Sequence, residues 1–100
     1  MKLTNEFQPI REWAQQRGLY EKGDPKTQAL KLVEEMGELA QAILKQDQPE
    51  FEDAIGDCVV VLTNLAELNG TTIEECINSS YDVIASRKGK MVNGTFVKES

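Results

Sequence analysis

The 100-residue sequence contains no histidine and only two cysteines, Cys58 and Cys76. The missing histidine excludes any mechanism with a histidine base, and it argues against a Glu-x-x-His di-iron site in a helical bundle. Two isolated cysteines make neither a disulfide framework nor a zinc site. Both fall at positions that we predict to be core, so we expect reduced, buried thiols and a cytoplasmic protein.

Long hydrophobic runs are also lacking. The longest run, CVVVL at residues 58–62, is far shorter than the roughly 20 residues that cross a bilayer. The N-terminal sequence MKLTNEFQPIREW is too polar for a signal peptide. We therefore predict no membrane partner.

Basic residues are fewer than acidic ones: 11 lysines and arginines stand against 17 aspartates and glutamates, for a net charge of −6. Nucleic-acid binders usually show the opposite balance, so we predict no binding to nucleic acid duplexes. The length corresponds to one domain. A core this small favours extra burial through self-association.

Hydrophobic residues at helical spacing predict an all-α, four-helix bundle-like fold. The predicted helices cover residues 4–17, 25–46, 49–69 and 72–88. The VVV run of the third helix has strand character by itself, but the helical period on both sides of it favours a helix.

Capping residues mark the ends of these helices. Asp24 and Pro25 are a typical start for the second helix, and Pro49 opens the third in the same manner. The sequence TTIEE gives the fourth helix a capping box. Gly18 ends the first helix, and we predict a loop for the LYEKG segment that follows it.

The same spacing predicts which residues face the core. On the second helix these are Leu32, Val33, Met36, Leu39, Ala40 and Ile43. On the fourth helix they are Ile73, Cys76, Ile77, Tyr81 and Ile84. On the first helix Phe7 and Trp13 belong to an aromatic stripe that is usually core, the alternative being that they stack on a base.

The tail over residues 89–100 has a different pattern. Asn93-Gly94 between MV and TF predicts a short β-hairpin. Two strands alone are marginally stable, so we expect the hairpin to rest on a helix or on a partner chain. The alternative is a flexible tail.

Acidic residues lie among the apolar ones on two successive helices. Glu34, Glu35 and Glu38 form an E-E-x-x-E pattern whose spacings place Glu38 on one face with both others. Asp53 and Asp57 are four residues apart on the next helix. Carboxylates beside a core are costly unless a cation meets them, and Mg²⁺ takes oxygen ligands while keeping room for water and phosphate. We predict a Mg²⁺ site here; the alternative is a solvated acidic face with helical ion pairs.

Several neighbours share these faces. Lys31 lies four residues before Glu35, where it can reach a phosphate or pair with a glutamate. Asn64 lies two turns after Asp57. We interpret it as a nucleotide contact, as a residue that supports the metal ligands, or as a core amide with satisfied hydrogen bonds. Gly37 and Gly56 each precede an acidic residue. Because glycine costs a helix roughly 1 kcal/mol against alanine, we predict that the two helices, or a ligand, approach closely there.

The stretches KLVEEMGELAQAI and DAIGDCVVVLTNLA together resemble the MazG-like, all-α nucleoside triphosphate pyrophosphohydrolases. That family carries E-x-x-E on one helix and E-x-x-D on the next. Glu35 and Glu38 match the first half, and Asp57 matches the final aspartate. At the position of the motif's remaining glutamate, this sequence has Ala54. Asp53 is the nearest acidic residue. The resemblance covers most of the chain and predicts one MazG-like domain over residues 1–100.

The resemblance implies Mg²⁺-dependent hydrolysis of nucleoside or deoxynucleoside triphosphates to monophosphate and pyrophosphate, with Mn²⁺ as a substitute metal. House-cleaning of the nucleotide pool is the implied role, and a homodimer or homotetramer the implied assembly. The implied metal ligands are Glu35, Glu38, Asp53 and Asp57, with Glu34 or water as alternatives to Asp53. Without histidine, Glu34 or Glu38 is the candidate general base.

A triphosphate also requires positive charge. Lys31, Arg87, Lys88 and Lys90 are the candidates, the last three within the sequence SRKGK at the end of the fourth helix. Cations there also complement the helix macrodipole, which is the alternative explanation.

Two other functions fit the same residues. One is a catalytically weak helical module that binds nucleotides or a partner protein, an option that Ala54 leaves open. The other is a structural carboxylate site for Ca²⁺ or Mn²⁺, although the sequence has no D-x-D-x-D-G loop of the usual calcium type.

Overall fold

The computed structural model describes residues 5–99, which form five α-helices followed by one antiparallel hairpin. The elements are α1 (Phe7–Gln16), α2 (Leu19–Lys22), α3 (Pro25–Lys45), α4 (Gln48–Leu68), α5 (Ile73–Ala85), β1 (Gly89–Val92) and β2 (Thr95–Lys98). The predicted all-α class with a C-terminal hairpin is confirmed. The predicted start of the first helix at Thr4 lies outside the described residues.

The segment between α1 and α3 is helical, so the prediction of a loop there is wrong. Gly18 ends α1 in the left-handed region at φ 76°, as glycine readily does. The chain then forms one further helical turn, in which the Lys22 N–H donates to the Gly18 carbonyl at 2.9 Å. A helix of four residues with a glycine on each side is too short to show a periodic pattern of hydrophobic residues.

Side-chain caps start the two long helices. The Asp24 carboxylate accepts hydrogen bonds from the N–H groups of Lys26 and Thr27, and Pro25 occupies the first position of α3. Asp47 caps α4 by accepting from the Glu50 N–H. Only two residues separate α3 from α4, so the two 21-residue helices pack against each other and form the main interhelical contact.

Helix α5 is capped by Thr72, which accepts from the Glu75 N–H, and it ends at Ala85 rather than at the predicted residue 88. The hairpin begins soon after this end, at Gly89. The Glu99 N–H donates to the Lys88 carbonyl at 2.7 Å, which draws Lys88 into the strand pairing.

The hairpin turns through Asn93 and Gly94, both with positive φ (49° and 83°), as in a type I′ turn. Met91 pairs with Phe96 in its register. Every strand residue is exposed. Within one copy, the hairpin therefore does not rest on a helix.

The core is small and consists mostly of alanine. The buried hydrophobic residues are Ala14, Ala42, Ala54, Val61 and Ala66. The largest fully buried side chains are polar, those of Asn64 and Thr63. The radius of gyration is 15.8 Å, against about 13 Å for a compact domain of this length.

Several predicted core positions are wrong for a single copy. On α3, Val33 is 60% exposed, Met36 48% and Ile43 56%. The more buried side of this helix instead carries Leu32, Glu35, Leu39 and Ala42. Helix α3 is therefore apolar on two sides, and periodicity alone does not say which side meets α4.

Other expectations about burial also fail. Tyr81 and Ile84 of α5 are exposed, and so is the thiol residue Cys76, while Cys58 is half-buried; both cysteines are free. Trp13 of α1 is 47% exposed and is not a core residue.

The two helical glycines do not mark a close approach of α3 and α4. A Cβ atom added to Gly37 or to Gly56 would meet nothing within 4 Å. The predicted helix-to-helix contact at these positions is therefore wrong. None of the described helices combines the length and the apolar character needed to cross a membrane.

Candidate functional site

Three carboxylates from α3 and α4 converge where the two helices pack. Oxygen atoms of Glu35, Glu38 and Asp57 all lie within 4.8 Å of one another. Glu35 and Glu38 are one helical turn apart on α3, and Asp57 faces them from α4. The predicted E-x-x-E and aspartate pattern is thus brought together in space.

Glu35 is the most buried member, with only 9% of its surface exposed. Its Oε1 atom lies 3.7 Å from Lys31 Nζ, but the lysine side chain is 53% exposed, so water weakens this ion pair. Its Oε2 atom is buried without any hydrogen-bond partner among the described residues. A carboxylate oxygen in that position is costly unless a cation or a proton meets it.

The neighbouring acids make the site strongly negative. Burial raises the pKa of Asp57, the charges of Asp53 and Glu35 raise it further, and Lys31 opposes them. Burial, followed by the charges of Glu35, Asp57 and Glu38, raises the pKa of the Cys58 thiol. A divalent cation would relieve this repulsion.

The remaining predicted acids lie at the edge of the site. Asp53 and Glu34 are exposed and fall outside the group of three converging carboxylates. Ala54, at the position where the resemblance leads one to expect glutamate, is 1% exposed and part of the core. Among the described residues, the converging group therefore has three carboxylates rather than four.

Asn64 lies deep in α4, with 1% of its surface exposed. Its Oδ1 atom accepts a hydrogen bond of 2.6 Å from the hydroxyl of Tyr20, whose pKa is raised by burial. Of the three interpretations of Asn64, this geometry favours a satisfied core amide. Sequence reasoning missed Tyr20, because it lies on the short helix α2 that had been predicted as a loop.

The predicted phosphate-binding cations lie in two different places. Lys31 borders the carboxylates. Arg87, Lys88 and Lys90 are exposed where α5 joins the hairpin, and none of them forms an ion pair with a described residue.

An ion pair that sequence reasoning missed ties α1 to α5. The two terminal nitrogens of Arg11 donate to the two carboxylate oxygens of Glu74, each at 2.6 Å. Glu67 of α4 lies 3.8 Å from the same guanidinium. The hydrogen bonds from Arg11 lower the pKa of Glu74. No periodic pattern signals a contact between residues 63 positions apart.

A cavity of about 590 Å³ opens beside the carboxylates. Lys31, Glu35 and Asp57 line its polar part, and side chains of α1 and α4 line the rest. This volume is typical of sites that bind small molecules. The chain thus combines a buried, negatively charged cluster with space for a ligand that also carries an apolar group.

An all-α domain whose two central helices present carboxylates to a ligand-sized cavity has a candidate divalent-metal site. The family model of the MazG nucleotide pyrophosphohydrolase domain matches residues 24–92. The chain belongs to this family.

One relative is the "Uncharacterized 18.2 kDa protein in rep-hol intergenic region" of Haemophilus phage HP1. It is 43% identical to this chain over 60 residues, which are 60% of this chain and 37% of the phage protein. The chain therefore matches little more than a third of that relative's length. No solved structure matches the chain.

Proposed function

We propose that this chain hydrolyses nucleoside triphosphates to nucleoside monophosphates and pyrophosphate in a Mg²⁺-dependent reaction. Membership of the MazG nucleotide pyrophosphohydrolase family supports the reaction class. The observation that carries the proposal is the buried Glu35 oxygen that has no partner among the described residues, on a side chain that converges with Glu38 and Asp57. A structural carboxylate on a solvated face would have no reason to be buried in this way.

Glu35, Glu38 and Asp57 are the residues that would hold the Mg²⁺ ion, since hard cations prefer carboxylate oxygens. When bound, the ion supplies neutralisation of the charge that develops on the phosphate oxygens. Asp53 and Glu34, near the edge of the cluster, remain proposed contributors through water or through movement of their exposed side chains.

The protein's own groups would handle the attacking water. We assign Glu38, or alternatively Glu34, as the base that accepts a proton from this water. The water oxygen forms a bond to the α-phosphorus, and the bond from that phosphorus to the bridging oxygen breaks. Pyrophosphate leaves with the electron pair of the broken bond, and the glutamate later returns its proton to solvent. Lys31 lies close enough to the cluster to hold a phosphate in line.

We further infer that the chain functions as a homo-oligomer. The outward side of α3 exposes Val33, Met36 and Ile43, and α4 exposes Ile55 and Leu62. On α3 these residues lie next to the side that packs on α4, and an apolar face too wide for one neighbouring helix to cover calls for a further packing partner. Assembly is also a way for Arg87, Lys88 and Lys90 to reach the phosphates, because within one copy they lie away from the cavity lining.

The test is pyrophosphate release from a panel of ribo- and deoxyribonucleoside triphosphates, with and without Mg²⁺ or Mn²⁺. We expect release only with a divalent metal. Glu38→Gln should lower kcat by about a thousandfold or more, because it keeps the shape of the side chain and removes both a ligand charge and a candidate base.

Glu52→Gln is the matched control, since Glu52 is exposed on α4 and hydrogen-bonds only to Gln48 among the described residues. It should keep turnover within about twofold, as isolated surface charges contribute little. Wild-type turnover in Glu38→Gln would reject the proposed role of the cluster.

The burial of Ala54 favours a second candidate, a nucleotide-binding module with weak catalysis, because a site with three carboxylates holds a metal less firmly. Calorimetry with a non-hydrolysable triphosphate separates the two. Tight, metal-dependent binding without pyrophosphate release from any triphosphate would favour the module over the enzyme.

A further inference from the structure

The apolar wall of the cavity includes the one tryptophan of the chain, Trp13. The other apolar wall residues are Pro9 and Ile10 from α1 and Val60 and Val61 from α4. The wall is thus built from the sides of α1 and α4 that face the carboxylates of α3 and α4. An aromatic side chain and a metal-binding cluster share one cavity.

Trp13 is more exposed than a core residue would be. About half of its surface, 47%, is accessible, whereas its neighbour Ala14 is completely buried. The guanidinium of Arg17 lies 4.6 Å from the centroid of the Trp13 ring, a cation–π contact. Arg17 does not line the cavity, so the guanidinium and the cavity lie against different parts of the indole. The ring is held on one side and open to the cavity on another.

The charged side chains that line the cavity are Lys31, Glu35 and Asp57. Among the other described lining residues, only Trp13 has a side-chain hydrogen-bonding group, the indole N–H donor, and no side chain there accepts a hydrogen bond. The cavity can therefore hold a planar aromatic group by stacking and apolar contact, and it has a single donor along that wall to meet the polar edges of a base. Sites with so few such groups discriminate weakly between related ligands.

We propose that Trp13 is the stacking platform for the nucleobase, and that this cavity accepts purine and pyrimidine nucleotides with little preference. The inference rests on the proposed function, since it assigns the base end of that substrate while the carboxylates hold the phosphate end. Stacking suits every base, because each has a π-face.

The first experiment measures tryptophan fluorescence while the four common nucleoside monophosphates are added without metal. Trp13 is the only tryptophan of the sequence, so the signal comes from this site alone. Excitation at the red edge of the indole band avoids absorption by the bases. We expect saturable quenching by all four monophosphates, and none by inorganic pyrophosphate. Absence of quenching by every monophosphate would overturn the assignment, whether or not the chain hydrolyses triphosphates.

The second experiment measures KM and kcat for triphosphates of the four bases. Trp13→Ala should raise KM by about tenfold or more for every base and leave kcat within about threefold, because base stacking contributes about 1 to 3 kcal/mol. Trp13→Phe should recover most of the loss. Glu12→Ala, at the neighbouring exposed position of α1 and outside the cavity lining, should change neither constant.

Three results would contradict the proposal. They are an unchanged KM in Trp13→Ala, a change of sedimentation state in that variant, which would make Trp13 an interface residue, and a spread of more than about a hundredfold in kcat/KM between the four bases of the wild type. If the wild type shows quenching but no turnover, the base site stands and the proposed hydrolysis fails.

Discussion

At the residue scale, the site depends on where a few carboxylates lie relative to solvent. Asp57 is held near Glu35 and Asp53, and burial and both charges disfavour its ionised form. The folded protein without metal therefore carries a repulsion that the unfolded chain does not, because unfolding separates these charges and hydrates them. The site reduces the stability of the metal-free fold, as expected of a site that serves binding.

This reasoning predicts that Asp57→Asn stabilises the metal-free protein. Replacing the carboxylate by an amide of similar shape removes the repulsion, so the free energy of unfolding in a chelator should rise by about 1 kcal/mol. The same variant should lose the increase in Tm that Mg²⁺ gives the wild type, because a ligand is missing. Thermal denaturation with chelator and with Mg²⁺ measures both effects.

Glu52→Gln again serves as the control and should change neither quantity. If Asp57→Asn destabilises the protein in chelator, the aspartate has a structural role that outweighs the repulsion. If it keeps the full response to Mg²⁺, it is not a ligand.

The sequence predicted the converging acids because helical spacing determines which side chains share a face. Glu35 and Glu38 follow from that rule, and Asp57 follows from the apolar pattern of the next helix together with the family resemblance. Asn64 is different, since its hydrogen bond to Tyr20 depends on a helix of four residues whose position is set only by tertiary packing. Local spacing carries no information about such a partner.

At the scale of elements, α1 contributes one buried residue to the core, Ala14, among those described. The Arg11–Glu74 pair provides a polar connection from α1 to the first turn of α5. Both side chains are mostly buried, at 15% and 29% exposure, so this pair is worth more than an ordinary surface ion pair.

The pair makes part of the stability depend on pH. Arg11 lowers the pKa of Glu74 below the unfolded value near 4.5, so the folded state releases this proton more readily than the unfolded state does. The stabilisation is therefore fully present above the unfolded pKa and is lost as the pH falls through the lowered, folded pKa.

We predict that Arg11→Met lowers the free energy of unfolding by about 1 to 3 kcal/mol at neutral pH, because it leaves a partly buried carboxylate without its partner. Urea denaturation should show this difference shrinking as the pH falls below the usual range of glutamate. A difference of the same size at neutral and at acid pH would show that lost packing, and not the ion pair, is responsible. Arg17→Met, at the C-terminal cap of α1, controls for removal of an arginine.

The elements themselves show where prediction from sequence ends. The sequence predicts the caps at Asp24 and Thr72 and the turn at Asn93-Gly94, because these features depend on local hydrogen bonds and local φ preferences. The end of α5 was not predicted: the helix stops at Ala85, and the Lys88 carbonyl accepts a hydrogen bond from the Glu99 N–H of the hairpin. A contact between segments eleven residues apart has no local signature.

At the scale of the whole molecule, the exposed apolar residues form a pattern rather than a scatter. On α3, Val33, Met36, Ala40 and Ile43 alternate at spacings of three and four, and all four are exposed. The adjoining side of the helix already meets α4. Isolated exposed apolar residues are normal, but a continuous stripe on a helix with so small a core indicates a missing neighbour.

We predict that the wild type sediments as a homo-oligomer at micromolar concentration and that its Tm rises with protein concentration, because association stabilises only the folded state. Met36→Lys should shift it to a monomer of lower Tm, since a lysine in the middle of the stripe cannot be buried without a partner. Gln41→Lys adds the same charge to the same helix outside the stripe, so it should leave the assembly unchanged. A monomeric wild type, or an equal effect of both lysines, would mean that the stripe does not join two copies, and Arg87, Lys88 and Lys90 would then need another route to the phosphates.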